Sequence, residues 1–189
     1  MHDPFFFGYG SLVNRRTHDY AHAHPARARG WRRAWRYSPV RPVSFLTVLR
    51  SEADEILGLI AEVPQADWAA LDERERAYER QTVTQAVVHP LDHDPEIAIF
   101  AIAEGQHHPP GDNNPVLMSY LDTVVQGFLA EFGEDGVAHF FNTTDGWDEA
   151  PFLDDRAEPI YRRHQPASEA ERAMVDDWLA QMGARVIRA

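Results

Sequence analysis

The stretch FFFGYGSL, residues Phe5 to Leu12, decides how the fold is read. A continuous apolar run that stops at glycine reads as a strand buried on both faces, since a half-exposed strand would alternate. Glycine accepts φ > 0 and lets another backbone or a ligand come close. A strand followed by G-x-G-S and a short helix or turn over Ser11 to Asp19 points several backbone N–H groups into one space. Such a nest suits carboxylates and phosphates. Ser11 adds a hydroxyl and Tyr9 a flat wall, and the plain alternative is a tight turn with no ligand. Three other motifs are excluded. The stretch lacks the G-x-x-x-x-G-K of a phosphate loop, the third glycine of a dinucleotide fold and the G-x-S-x-G frame of a nucleophile elbow.

Composition narrows the chemistry. The 189 residues, 44% hydrophobic and 11% aromatic, suit a single domain able to bury a core unaided. There is no cysteine, which removes disulfides, thiolate metal sites and a cysteine nucleophile. All 18 basic residues are arginine, which removes a Schiff-base lysine. The net charge of -12 argues against nucleic acid as a partner. Residues 1–50 nevertheless carry nine arginines against Asp3 and Asp19, a net of +7, while the remainder carries −19. Complementary parts of one fold explain this, and the sharper reading is a basic cluster that attracts an anionic substrate. MHDPFFFGYGSL has no basic leader, and no segment approaches the roughly 20 apolar residues of a membrane span. A soluble, cytoplasmic protein with no membrane partner is expected.

Along the chain, strands are expected at Phe5–Tyr9, Arg27–Tyr37, Val43–Leu49, Ile56–Val63, Thr82–Val88 and Glu96–Ala103. The period changes in QADWAALDERERAY, where Trp68, Leu71 and Tyr78 predict a helix. EGQHHPPGDNNP is a loop. Helices are expected from Pro115 to Phe132, briefly from Asp135 to Thr143, and from Ser168 to Met182, where Ser168 and Glu171 form a capping box. Glu149–Arg163, with Pro151 and Pro159, reads as irregular. The sum is one α+β domain over 1–189, strand-rich first and helical later, with a core of about 4–132 and a helical elaboration of about 133–189.

FGYGSL, followed further on by a helix reading LDERERAY, resembles the γ-glutamylcyclotransferase superfamily, which includes ChaC-like and AIG2-like proteins. RGWRRAW (29–35) resembles the G-[YW]-x-R-x-[FW] strand of that superfamily, and VRPVSFLTVL and ILGLIAEV its next strands. The resemblance is good over residues 4–88 and holds in outline over the helix NNPVLMSYLDTVVQGFLAEFG. TTDGWDEAPFLDDRAEPIYRR (143–163) lies outside the family's short core. The resemblance implies a small mixed β-barrel or strongly curled sheet flanked by helices, with a pocket at one mouth. It implies an amide-cleaving, cyclising transferase or lyase that releases 5-oxoproline from a γ-glutamyl peptide or amine, glutathione being the first candidate. No cofactor or metal is implied, and the chain is expected as monomer or homodimer. Carried over by position, Glu75 is the general acid/base, and Tyr9, Gly10, Ser11 and Leu12 form the substrate loop, with Tyr78 beside it. Two departures stand out: Arg76, Ala77 and Tyr78 follow Glu75 where members place one or two glycines, and Arg76 is expected to bring a bulky cation near the site.

The reaction fits the composition. The substrate's own α-amine attacks its γ-carbonyl, so no enzyme nucleophile is needed. The protein must orient amine and carbonyl, shuttle one proton and steady an oxyanion. Glu75 is expected in a partly apolar cleft that raises its pKa. On residues alone, Glu73, Glu75 and Glu79 with Arg74, Arg76 and Arg80 read as solvated helix pairs, and Glu79 is the nearest substitute for Glu75. A non-catalytic binding or regulatory protein that keeps the anion nest is the alternative function. Removal of a γ-glutamyl protecting group from a biosynthetic intermediate is a third.

Other constellations carry less. His22 and His24, His89 and His93, and His107 and His108 invite a metal, but the Leu-Asp-His-Asp-Pro context is a loop and no H-E-x-x-H occurs. Asp154, Asp155 and Arg156 read as a turn braced by arginine, or as a lid. Tyr120 and Tyr161 read as core residues with a hydroxyl partner, or as pocket walls.

Overall fold

The computed structural model describes residues 3–39, 42–103 and 105–188. Met1, His2 and Ala189, together with Val40 and Arg41 of the VRPVSFLTVL segment and Glu104 at the head of the loop segment, lie outside the described residues.

The all-apolar β1 (Phe5–Gly8) is buried at every position, because it lies inside the sheet with a partner on each side. It pairs antiparallel with β3 (Phe45–Glu62) and parallel with β6 (Ile97–Ala101). β2 (His24–Arg36) is the other partner of β3, and β4 (Glu79–Thr82) the other partner of β6. The seven-stranded sheet runs β4-β6-β1-β3-β2-β5, with β5 (Val87–Val88) on one edge and β8 (Thr144–Asp145) joined to β2. It is a mixed, curled half-barrel flanked by helices, as the resemblance implies.

Two expected strands prove to be one. β3 continues for 18 residues through the polar run Arg50–Glu55, because β2 pairs with it along almost its whole length. A register shift between Arg29 and Trp31, with Gly30 at φ 77, absorbs the twist of this long hairpin.

The helix expected to reach Tyr78 is shorter. After a 3₁₀ turn at Pro64–Ala66, α1 spans only Ala69–Arg74, and Glu75 is its C-cap. α2 (Met118–Asn142) joins the two helices expected between Pro115 and Thr143, with a break at Gly133, whose φ of 67 no side-chain-bearing residue adopts without strain. It does not merely flank the sheet: Leu121, Val124, Val125 and Phe128 are buried in the main core with Trp31 and Trp35. α3 (Glu169–Gln181) starts at Ser168 with both halves of the capping box formed and packs on α2, where Trp178 stacks on Phe141 at 5.0 Å.

Three further short strands were not expected, one of them where the helix was expected to begin at Pro115. β9 (Pro151–Asp154) lies between β7 (Val116–Leu117) and β10 (Arg185–Arg188), all parallel, in a second small sheet. The arginine-rich first part of the chain is neutralised largely by the acidic remainder: Arg15 pairs with Glu131, Arg27 with Glu55, and Arg32 with Asp54 and Asp145.

Candidate active site

The glycines of FFFGYGSL answer to the protein's own atoms first. A Cβ on Gly8 would lie 2.5 Å from the Leu12 Cβ, because the chain doubles back into a 3₁₀ turn at Ser11–Val13. A Cβ on Gly10 would lie 2.7 Å from the Tyr120 hydroxyl. That hydroxyl, brought in by α2, accepts a hydrogen bond from the Ser11 N–H. The N–H groups of Val13 and Asn14 close the turn on Gly10 and Ser11 carbonyls. The nest is thus partly filled from within: of its donors, Ser11 faces a phenol and Val13 and Asn14 serve the turn.

Tyr9 does not stand over the loop as a wall. Its ring is in the core, and its hydroxyl donates to the Phe100 carbonyl at 2.6 Å and meets the Thr47 hydroxyl. Burial raises the Tyr9 phenol well above its ordinary range, and Glu75 and Tyr120 add to that. The Tyr120 phenol is raised likewise, first by burial and then by Tyr78, Tyr161 and Glu75. Both phenols are therefore neutral hydroxyls at physiological pH, and both feel Glu75. Leu12 is buried with Phe6, Val63 and Leu71 and serves packing.

Glu75 follows the last residue of α1, its N–H bonded to the Leu71 carbonyl and its own carbonyl accepting from Tyr78 N at 2.7 Å. That turn puts Tyr78 beside it, with the Tyr78 hydroxyl donating to the Leu46 carbonyl at 2.9 Å and its ring edge-on to Phe45. The Glu75 side chain is 17% exposed, and Arg74 Nε lies 3.2 Å from its Oε1. Arg74 also donates to the Thr17 carbonyl (2.9 Å), the Thr17 hydroxyl (3.2 Å) and the Ser11 hydroxyl (3.2 Å). One guanidinium therefore joins the helix end to the glycine loop.

The expectation for Arg76 is corrected. Its side chain is 72% exposed and pairs with Glu73, away from Glu75. Solvent is the cheaper place for a strongly hydrated ion pair with no buried partner. Glu79 is exposed on β4 and paired opposite Ala101, on a strand rather than on the helix. Arg74 was passed over in the sequence because it reads as one member of a solvated i,i+4 array.

A strap of residues 155–166 closes on α2. Asp155, 3% exposed, accepts from Ser119 N (2.8 Å), Ser119 Oγ (2.5 Å) and Ile160 N (2.9 Å). Arg156 makes a bidentate contact with Asp122 and reaches Asp176. This is the arginine-braced turn of the sequence reading, although the braces are Asp122 and Asp176. The strap sets Tyr161 edge-on to Tyr120 at 5.1 Å. Tyr120, Tyr161, Tyr78, Ser11 and Glu75 thus converge. Two concavities lie elsewhere: one of about 680 Å³ lined by Arg27, Val88, His89, Phe132 and His139, and one of about 260 Å³ under the strap. Among the described residues no cluster of three or more metal-ligating side chains occurs, and no helix is long and apolar enough to cross a membrane.

Comparison with known proteins bears on the fold and the family. The family model described as gamma-glutamyl cyclotransferase, AIG2-like, matches residues 6–119, from β1 to the start of α2. No curated protein matches at the sequence level. Among solved structures, a gamma-glutamyl cyclotransferase superposes with a TM-score of 0.56 at 16% identity, covering 93% of this chain and 99% of its own. An uncharacterized protein from Homo sapiens gives 0.57 at 15% identity, with 93% and 99% covered. YkqA from Bacillus subtilis gives 0.56 at 14%, with 73% of this chain and 52% of its own covered. These structures share the fold. The family match spans more than half of the chain: the protein belongs to the gamma-glutamyl cyclotransferase, AIG2-like family, and is a cyclotransferase-type enzyme.

Proposed function

We propose that this cyclotransferase-family enzyme releases 5-oxoproline from a γ-glutamyl peptide or amine, with glutathione the first substrate to try, and that Glu75 is its general acid/base. The observation that supports the reading is that Glu75, tied through Arg74 to the Ser11 end of the glycine loop, bears electrostatically on the phenols of Tyr9 and Tyr120. The carboxylate takes a proton from the substrate's α-ammonium. The freed amine attacks the γ-carbonyl, a new C–N bond closes the five-membered ring, and negative charge moves to the carbonyl oxygen. Collapse of that adduct breaks the bond to the leaving nitrogen, which receives the proton back from Glu75; the ring nitrogen then sheds its second proton through the same carboxylate, leaving the neutral lactam and a protonated leaving amine. Charge and protons balance with no other reactant.

The remaining work is orientation. A flexible glutamyl chain must be folded so that its ends meet, and well-held intramolecular attack gains effective molarities of order 10⁵ M or more. The loop over Tyr9, Gly10, Ser11 and Leu12 and the Tyr78 ring are read as holding that chain. Tyr120, which accepts from Ser11 N–H, has its own proton to offer a developing oxyanion. A cytoplasmic monomer or homodimer suits such a reaction.

The test is to incubate the protein with glutathione, γ-glutamyl-alanine and a γ-glutamyl amine and to quantify 5-oxoproline by mass spectrometry, with Glu75→Gln alongside. Loss of general acid–base catalysis should cost roughly 10²–10⁴-fold in kcat, with the thermal midpoint little changed. Full activity of the Gln variant would remove Glu75 from the mechanism. Binding of 5-oxoproline without turnover of any substrate would point to a ligand-binding role for this pocket.

A further inference from the structure

The proposal that follows rests on the reading of Glu75 as the proton-transfer group. Arg74 is the residue immediately before it, its side chain is only 7% exposed, and its guanidinium faces two ways. Nε meets the Glu75 carboxylate, while the two terminal nitrogens take the Thr17 carbonyl and hydroxyl and the Ser11 hydroxyl. No neutral side chain could make this bridge, and lysine, a single point donor, could make only one side of it. Arg74 does not belong to the loop and does not stand over it. It touches the loop on one side and the carboxylate on the other.

We propose that Arg74 is a positioning residue: it fixes the distance between the substrate loop and Glu75, and it keeps Glu75 in the carboxylate form that can accept the substrate's ammonium proton. The surroundings show what such a cation offsets. The phenols of Tyr9, the residue after β1, and of Tyr120, on α2, lie within the electrostatic reach of Glu75, and Tyr78 adjoins it across the turn. Tyr20 feels both Arg74 and Glu75, and the carboxylates of Asp67 and Asp72 lie in the same field. A neutral phenol bears no charge to oppose Glu75, but nearby carboxylates disfavour a further negative charge, and a cation beside it offsets them. Of the other cations nearby, Arg76 is turned to Glu73, Arg80 to Asp72, and Arg33 lies behind Tyr9. An opposite charge within about 4–6 Å favours the ionised carboxyl by roughly 1–3 pH units, so the acidic limb of the pH–rate profile carries the signature of Arg74.

Two variants separate the charge from the fork. Arg74→Gln removes both, and Arg74→Lys keeps a cation. The kcat/KM profile for 5-oxoproline release is measured from pH 5 to 9. In parallel, the Glu75 carboxyl is titrated by ¹³C NMR in glutamate-labelled protein, assigned with Glu75→Gln. Arg74→Gln should move the acidic limb and the NMR midpoint up together by about 1–2 pH units, with activity at pH 6.5 falling at least 10-fold and partly recovering at pH 8.5. Arg74→Lys should leave the limb in place while raising KM, because Ser11 and Thr17 lose their tether. A merely structural role would lower activity at all pH values and leave the midpoint still, and that result overturns the proposal. So does an equal upward shift in Arg74→Lys. If the native protein forms no 5-oxoproline, the functional reading fails first, and the NMR titration shows separately whether Arg74 and Glu75 are coupled.

Discussion

Arg33 holds the glycine loop from below and Arg156 belongs to the strap, and both segments reach Tyr120. Arg33 is fully buried on β2, and its hydrogen bonds go to carbonyls and a hydroxyl rather than to a carboxylate. Its guanidinium donates to the Tyr9 carbonyl at 2.9 Å, the Thr143 hydroxyl at 2.8 Å and the Leu57 carbonyl, and it lies over the rings of Phe128 and Phe140 at 4.9 and 5.3 Å. Burial pushes it down to about 9, so it still carries its charge at neutral pH. Arg156 is held instead by Asp122 and Asp176, whose hydrogen bonds and charges raise it against the cost of burial. Asp122 moves up too, because burial outweighs what Arg156 returns to it. The ion pair under the strap therefore specifies geometry more than it adds stability. Beneath the loop, backbone dipoles, a hydroxyl and aromatic faces surround the charge instead.

The largest expected effect tests that difference directly. Arg33→Met should cost about 3–5 kcal/mol in urea unfolding, since it orphans three acceptors at about 1–3 kcal/mol each, less what relaxation recovers. Arg156→Met should cost about 2–3 kcal/mol, and adding Asp122→Leu should return most of it, as an apolar pair replaces an ionic one. Equal losses with no recovery would erase the distinction.

A smaller effect probes the point where the two segments meet. Gly10→Ala should displace Tyr120 and lower kcat/KM about 10-fold or more, since misplacements near 1 Å carry such penalties. Combined with Tyr120→Phe, which removes the clashing oxygen, it should do little further harm. Additive losses in that cycle would mean that Gly10 is needed for some other reason.

The smallest is a pH effect confined to the loop side. His18 Nδ1 accepts from Tyr20 N at 3.2 Å, which leaves Nε2–H to donate to the Leu12 carbonyl at 3.1 Å. Burial, aided by Arg74, holds His18 below the usual imidazole range. The unfolded chain thus binds the proton more readily, and the stabilisation is complete above the unfolded value of about 6.5 and fades as pH falls through the folded one. Unfolding free energy measured from pH 7.5 to 5 should decline, and His18→Asn should flatten part of that slope. An unchanged slope would clear His18.

Much of the loop side was legible in the sequence. FFFG needs no partner to read as a buried strand, and Gly8 and Gly10 announce a close approach, although not by which atom. Ser168 and Glu171 fixed the start of α3. What escaped has physical causes. Arg50–Glu55 is polar enough for a turn, and only cross-strand pairing with β2 keeps it extended. Tyr78 falls at helical spacing with Leu71, but α1 stops at Arg74 and a turn delivers the ring by another route. Tyr120 offered its apolar neighbours as evidence of core packing. That packing is real, and the hydroxyl at its end still reaches Ser11. Arg74 was hidden because a charged helix face looks the same whether it meets water or a loop. β9 and β10 are four residues each and take their extended form from each other.

The small parallel sheet has a consequence for timing. β7 runs straight into Met118 at the start of α2, so its alignment sets where Tyr120 stands. Its partner in that sheet is β9, and β9 in turn is backed by β10. Synthesis proceeds from the N-terminus, so the glycine loop and Glu75 leave the ribosome long before residues 151–188 arrive to align β7. A nascent chain can hold the Glu75 carboxylate and still lack the seated phenol, so the proposed site is completed as one of the last events of its folding.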